Sequence, residues 1–359
     1  MNVRIKQIER FMERDNLDVV FITFPKHIYY LTGYYSEPHE RFLGLIIPRG
    51  EEPFLLVPAL DHESAEAESL VSRIYSYADT ENAYSVLKQY LPPVRRMGVE
   101  KNHLTLKQYE LLSSITEIQT VIDIEPRLIA MRALKTDDEL IRIRHAVRLA
   151  EQVLQQGIMR IQAGMKESEI AAEIDYLMMK AGVTPAFQTT VLSGERSALP
   201  HGATGNRIVQ QGDLLLFDMG VAADGYLSDL TRTFVIGDAN EMQEHIYEAV
   251  LQANLEAIAA IKPNVPMAEI DRAARQCISS KGHGQYFTHR VGHGLGIEIH
   301  EYPSVHGENQ DLLKAGMVIT VEPGIYLPGF GGVRIEDDVL VTSKGAEVLS
   351  SFTKTLMVL

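Results

Sequence analysis

Five residues are acidic or histidine where the surrounding sequence asks for apolar or uncharged side chains: Asp218, Asp229, His293, Glu322 and Glu336. Asp218 ends the apolar run LLLFD, and Asp229 lies on what reads as the returning strand of a hairpin that turns at Ala223, Asp224 and Gly225. Side chains alternate along a strand, so such a hairpin can bring both carboxylates to one face. Two like charges side by side need a cation, although either aspartate alone reads first as a turn cap or a solvent-facing residue. Glu322 sits in VITVEPGIY, a stretch so apolar that an unpaired carboxylate is costly to bury. Glu336 sits in GVRIEDDVL, where Ile335 and Val339 suggest that alternate residues point inward, while salt bridges to Arg334 or a solvated edge account for Asp337 and Asp338. His293, in HRVGHGLGIEIHEYP, is flanked by glycines that let backbone approach closely. One histidine alone is more often structural than a ligand, but His289, His293 and His300 fall within twelve residues.

Four carboxylates and one imidazole form an oxygen-rich set, suited to two divalent cations of the manganese, cobalt or zinc kind rather than to a closed thiolate zinc site. Four negative charges would balance two such ions. A pair of ions about 3.5–4 Å apart can hold a bridging water as hydroxide at neutral pH and polarise an amide carbonyl. That is the chemistry of peptide-bond hydrolysis. No rival nucleophile motif competes: the chain has no G-x-S-x-G elbow, no cysteine in a catalytic context and no phosphate-cradling loop.

The elements that must position these residues fall into two styles. With 359 residues, 45% of them hydrophobic, the chain is long enough for two domains with separate cores. Residues 1–125 alternate short β-rich runs (LDVVFIT, FLGLIIP, PFLLVPAL, RIYSY) with amphipathic helical stretches, an α/β domain. Residues 126–135 read as a linker. Thr136 and Glu139 then have capping-box spacing before a long helix, a second helix ends at Gly182, and strands follow through DLLLFDMG and YLSDLTRTFVIG. Two more helices over roughly 240–280 and a final run of strands suggest a duplicated ααββ unit across 136–359, with no obvious sequence repeat. No run approaches a membrane span and the charged N-terminus has no signal-peptide core, so the expectation is a soluble, cytoplasmic protein without a membrane partner. A single cysteine, Cys277, fits a reducing compartment and small apolar packing. The net charge of −14 and the absence of a basic stripe argue against nucleic acid as a partner.

The order Asp218, Asp229, His293, Glu322, Glu336 resembles the ligand set of the pita-bread metallopeptidases, a family that includes prolidase, aminopeptidase P and methionine aminopeptidase. The resemblance is carried by LPHGATGNRIVQQGDLLLFDMG, YLSDLTRTF, HRVGHGLGIEIHEYP, VITVEPGIY and GVRIEDDVLV, and HIYYLTGY is similar to the creatinase/prolidase N-terminal domain. It implies an α/β N-terminal domain before an α+β pita-bread catalytic domain, and hydrolysis of dipeptides with proline at the second position, with aminopeptidase P action on longer peptides as the alternative. A metal-free amidinohydrolase or binding module of the same fold is the reading from another class. It also implies two divalent ions per chain, manganese first, with Asp218 and Asp229 on one ion, Asp218, His293 and Glu322 on the other, and Glu336 bridging. Glu322 serves as general base as well, His300 and His201 contact substrate and transition state, and Arg334 orients groups near the ions. Arg290, with His289 beside it, is the candidate reader of the dipeptide carboxylate, against a structural pairing with Glu298 or Glu301. The segment SEPHER, with His39, Glu40 and Arg41, is similar to a loop of bacterial prolidases that approaches the dimer partner's active site, so a homodimer is implied.

Overall fold

Short apolar runs separated by amphipathic helices build the first of two units, Met1–Met131 and Arg132–Leu359; the computed structural model describes residues 3–359. Strands β1 (Val19–Ile22), β2 (Gly44–Pro48), β3 (Phe54–Pro58), β4 (Arg73–Tyr77), β5 (Arg96–Val99) and β6 (Thr120–Asp123) form one sheet in the order β4-β3-β2-β1-β5-β6. Strand β2 is antiparallel to both neighbours and the other pairings are parallel. Strands β1 to β3 are buried along their whole length, which is why they read as unbroken apolar runs. Helices α1 (Val3–Asp15), α2 (Pro25–Thr32), α3 (His62–Glu68), α4 (Ala83–Leu87) and α5 (Leu106–Ile115) intervene. Leu87 and Leu112, from α4 and α5, join Phe21, Ile46 and Met97 in one core. Helix α6 (Glu125–Ala133) occupies most of the stretch that reads as a linker and runs through the division between the units.

The second unit is built twice from the same plan. Helix α7 (Asp137–Ile158) starts at the Thr136/Glu139 capping box, both arms of which are made, and packs with α8 (Glu167–Lys180). Their apolar faces meet a sheet of β8 (Thr190–Ser193), β9 (Leu214–Met219) and β12 (Leu230–Val235), so that Ala150, Leu154 and Ile174 share a core with Phe217 and Phe234. A small sheet of β7 (Thr184–Pro185), β10 (Val221–Ala223) and β11 (Tyr226–Leu227) flanks it. Helices α9 (Glu241–Ala260) and α10 (Met267–Ser280) repeat the plan, their core residues Val250, Ala257, Ile270 and Ala274 clustering with Ile319, Val321 and Val339. The second sheet runs β14 (Glu301–Val305), β13 (Gly292–Gly294), β15 (Val318–Val321), β18 (Asp337–Thr342), β19 (Gly345–Val348), and β16 (Gly324–Leu327) pairs with β17 (Gly331–Arg334).

The duplication leaves a conformational trace that residue identity hides. Left-handed residues recur one hundred apart, Gly164 with Asn264 and Gly182 with Gly282. The N–H groups of Gly164 and Asn264 donate to Val209 and Leu313, and the isolated bridges Lys166–Ile208 and Pro266–Leu312 follow in each half. Gly212 and Gly316, both at positive φ, each stand six residues before an acid of the site, Asp218 and Glu322. A turn that needs φ > 0 can be met by Gly or by Asn, so the backbone repeat survives where the letters differ.

Candidate metal centre

Every one of the five chemistry-bearing residues stands where a strand is interrupted. Asp218 is the penultimate residue of β9, before the break at Gly220; Asp229 lies between β11 and β12, Glu322 between β15 and β16, and Glu336 between β17 and β18. His293 sits at the register shift of β13 against β14. A broken ladder turns side chains away from the regular alternation, and the runs VITVEPGIY and YLSDLTRTF therefore split into strands of different sheets. The hairpin itself forms as its sequence implies: Asp218 pairs with Thr231, and Asp224 and Gly225 take positive φ at the turn. Asp229, two residues before Thr231, shares that face.

All five line a cavity of about 410 Å³, together with His201, His289, Arg290, His300, Arg334 and the apolar Phe187, Pro200 and Ile299. Ligand atoms of Asp229, His293 and Glu336 lie within 4.8 Å of one another, so these three buried groups form a set that could hold an ion. The grouping centres on Asp229 rather than on Asp218, whose Oδ2 accepts a hydrogen bond from Arg334 at 2.5 Å. His293 Nε2 stands 3.7 Å from Asp229 Oδ2 and 3.4 Å from Glu322 Oε1, spacing that would suit an imidazolium. Burial, with His300 beside it, instead pushes the imidazole down to about 3 and keeps it neutral. Its Nδ1 faces the Gly294 carbonyl at 3.1 Å and so carries the hydrogen, which leaves a lone pair on Nε2 aimed at two carboxylates. That convergence of acceptors calls for a cation.

The carboxylates give the same result. Burial, reinforced by the neighbouring acids, raises Asp229 and Glu336 well above the ordinary range, and burial lifts Glu322 to about 7 against the pull of Arg334. Asp229 Oδ1 is buried with no hydrogen-bond partner among the described residues. A desolvated acid with an orphan oxygen is stable either protonated or on a metal. An all-oxygen set with one imidazole fits hard to borderline divalent ions.

Neighbours without a signature of their own in the sequence hold this set in place. Thr231 Oγ1 donates to Glu336 Oε2 at 2.6 Å, Thr320 Oγ1 accepts the His293 N–H at 3.1 Å, and the Tyr326 hydroxyl joins Arg334 at 2.9 Å to His289 Nε2 at 2.8 Å. Thr231 and Thr320 stand two residues from Asp229 and Glu322, so the period-two rule is a signal that could have found them. Arg334 is a buried partner of Asp218, Tyr326 and Thr231 rather than half of a surface ion pair. Asp337 and Asp338 depart from their sequence reading: both are fully buried. Asp337 binds Arg232 and Lys354 instead of Arg334, and Asp338 accepts the Asp229 N–H. The acids that follow a ligand thus face its supports from the next turn of chain.

Burial, helped by Arg334, lowers His289 to about 4, and its Nδ1 donates to the Arg290 carbonyl, so its Nε2 accepts from Tyr326. Burial also lowers the more exposed His300, whose ring centroid is 4.1 Å from that of His293. Arg290 donates to Ser304 Oγ at 2.9 Å, while Glu298 and Glu301 are held by Arg132 and Lys135. His39, at φ +55°, and Glu40 lie in the first unit, where Glu40 pairs with Arg41 and Arg41 with Asp79. Neither is among the residues that line the cavity.

The fold and this donor set define a two-part metallopeptidase, and the chain belongs to metallopeptidase family M24. It matches that family over residues 141–343 and the Creatinase/Prolidase N-terminal domain over residues 4–134. An uncharacterized peptidase of Staphylococcus epidermidis is 42% identical over 352 residues, 98% of this chain and 99% of its own. Among solved structures, the prolidase from Pyrococcus horikoshii OT3 superposes with a TM-score of 0.93 at 36% identity, covering 99% of this chain and 100% of that one. The X-Pro aminopeptidase from Thermotoga maritima MSB8 does so with 0.90 at 30% identity, covering 97% and 100%. Membership of the family implies divalent metal ions.

Proposed function

We propose that this chain is a metal-dependent prolidase, which cleaves the bond before proline in Xaa-Pro dipeptides. The observation that carries the reading is a single cavity that joins an ion-binding set to a carboxylate reader. The first is the group of buried acids with the neutral His293 lone pair; the second is Arg290, which among the described residues has no carboxylate partner. A guanidinium with free donors matches the terminal carboxylate that a dipeptide presents just beyond proline. The overlap with prolidases of known structure supports the same substrate class.

In this reading the five residues would hold two divalent ions. The family resemblance puts Asp218 and Asp229 on one and Asp218, His293 and Glu322 on the other with Glu336 bridging, while the clustered donor atoms of Asp229, His293 and Glu336 favour Asp229 as the shared acid. Bound divalent ions supply an activated water at neutral pH and a Lewis acid for the scissile carbonyl. Glu322 accepts a proton from the attacking water and returns it to the proline nitrogen, which has no hydrogen of its own in the tertiary amide. His300 and His201 donate hydrogen bonds to the oxygen on which charge develops. Arg334 fixes Asp218, His289 borders the proline side, and Arg290 binds the carboxylate. Manganese is the first choice of ion, with cobalt or zinc next, since oxygen donors with one imidazole accept all three. A homodimer in which the His39/Glu40 loop reaches a second copy's site, and a cytoplasmic location consistent with one buried cysteine, Cys277, belong to the same reading.

Removal of the first residue from longer Xaa-Pro peptides is the second reading, favoured by the likeness to an X-Pro aminopeptidase. Comparing turnover of Ala-Pro, Ala-Pro-amide and Ala-Pro-Ala by wild type and Arg290→Met separates the two. Ala-Pro is the best substrate of the wild type, and the variant loses roughly ten- to a hundredfold in kcat/KM on Ala-Pro alone, the size of one charged hydrogen bond. Faster cleavage of Ala-Pro-Ala would assign aminopeptidase action instead, and an equal loss on Ala-Pro and its amide with metal content intact would show that Arg290 supports the site's structure without reading the dipeptide's C-terminus.

A further inference from the structure

A buried charge cluster adjoins the cavity without lining it: Glu298 and Glu301 flank the lining residues Ile299 and His300, and neither they nor Arg132 and Lys135 are among the lining residues. Arg132, 5% exposed, closes one guanidinium nitrogen on two acids, Glu301 Oε1 at 2.6 Å and Glu298 Oε2 at 2.6 Å. Lys135 Nζ reaches the other Glu301 oxygen at 3.3 Å, and the Lys135 and Glu301 side chains are 1% and 4% exposed. Glu301 Oε1 also accepts the Glu298 N–H at 3.0 Å, which folds the chain between them into a tight loop. Gly296 donates to the Glu298 carbonyl at 3.1 Å and accepts from Leu227 at 2.9 Å. A Cβ at Gly296 would stand 2.8 Å from Glu301 Oε1, so the carboxylate lies against bare backbone. Burying two cations and an acid is costly, and a hydrophobic cluster of similar volume would stabilise the fold at least as well. Such a cluster calls for an explanation beyond stability.

The explanation lies in what the loop carries. His300 is the residue between Ile299 and Glu301; its ring lines the cavity and meets that of His293 at 4.1 Å between centroids, at 61°. Yet His300 itself is exposed on the loop that joins β13 to β14, with no hydrogen bond of its own to set its angle among those found in the structure. We infer that the Arg132–Glu301–Lys135 cluster is a positioning device for His300: by clamping both acids that bracket the loop, it fixes where the imidazole meets the developing charge of the substrate. Although burial alone would raise Glu301, Lys135 and Arg132 hold it below the ordinary range, so the clamp stays ionised at working pH. Both contacts run through one guanidinium nitrogen, and Arg132→Lys, with its shorter stem and tetrahedral ammonium, does not reproduce the reach and planar direction that set that nitrogen between the two carboxylates. The inference rests on the role given to His300 above.

A double-mutant cycle tests it. The metal-loaded enzyme and its Arg132→Lys, Glu301→Gln and Glu298→Gln variants are assayed on Ala-Pro in the wild-type and His300→Ala backgrounds, with bound metal and Tm measured for each. Glu298 is 33% exposed, so its variant retains the fold even if the buried ones do not. In the wild-type background each substitution lowers kcat by about tenfold with KM and metal content nearly unchanged, whereas in the His300→Ala background the same change costs less than about twofold, because positions that act through one group are not additive. Equal losses in both backgrounds, or metal lost in step with activity, would overturn the inference and leave the cluster a structural clamp. A His300→Ala enzyme with wild-type kcat/KM would remove the role of His300 itself, and with it both the earlier reading and this one.

Discussion

A neutral imidazole facing carboxylates is the residue-scale signature of this site, and it has a consequence for the protein freed of divalent ions. Asp229, Glu336 and Glu322 are all raised in the folded chain relative to ordinary unfolded carboxylates, Glu322 from 4.5 to about 7. Raised carboxyls make the folded state bind more protons than the unfolded one. Their contribution to stability is therefore complete below the unfolded values and is lost as pH rises through the folded ones. Below about pH 6.5 the depressed imidazoles of His293, His289 and His300 have the opposite sign and offset the acids, so chelator-treated protein should lose Tm chiefly between about pH 6.5 and pH 8, at up to roughly 1.4 kcal/mol per pH unit for each proton released. Added manganese should abolish or invert that slope, since ligands must be deprotonated to bind it. Scanning calorimetry across the window decides: a Tm that is flat or rising in chelator would mean these acids are not the strained group described.

At the scale of elements, the site depends on strands that approach too closely for side chains. A Cβ on Gly292 would stand 2.0 Å from the Thr320 carbonyl oxygen, and one on Gly294 2.3 Å from that of Tyr302. The contacts are backbone to backbone, so no rotamer change relieves them. Bare glycines let β13 lie against β15 and β14, which sets His293 within reach of Glu322 just beyond the end of β15. Gly292→Ala should separate the strands, costing about 1–3 kcal/mol of stability as an overpacked position and lowering metal occupancy with it. Denaturant unfolding and elemental analysis measure the two effects. Full occupancy with only a stability loss would mean that the strand spacing does not set the ligand geometry.

At the scale of the whole molecule, the catalytic unit closes on itself from the back. Buried Arg232 donates to the carbonyls of Thr231, Glu336, Phe352 and Thr353 and to Asp337, so one guanidinium ties the C-terminal segment to the strands on either side of the site. What the first unit adds is proposed rather than built into that network. If its His39/Glu40 loop serves a second copy's cavity, the protein should sediment at twice the 40.2 kDa of one chain. A His39→Ala, Glu40→Gln double variant should then lose about tenfold in kcat/KM on Ala-Pro at unchanged metal content. A monomer, or a dimer indifferent to the double change, would leave the loop without a catalytic part.

Much of this was legible in the linear sequence because its signals are local. Apolar runs gave away β1 to β3, the Thr136/Glu139 capping box marked the start of α7, and an acid in an apolar run marked Asp218 and Glu322, since burial of charge demands a reason wherever it occurs. What stayed hidden was the partnership of residues far apart in the chain. Thr231 with Glu336 spans 105 residues, Arg334 with Asp218 spans 116, and Arg132 with Glu301 spans 169. Local periodicity carries no record of such pairings, which arise only when the two halves fold against each other. For that reason Asp337 and Asp338 read as partners of Arg334 or as a solvated edge, Tyr326 carried no signal, and Asp229 read as no more central than Asp218. The sequence by itself determined the kind of chemistry through the residue types it places in apolar runs; the tertiary structure decided which groups share one cavity, because desolvation and charge act through distance in space.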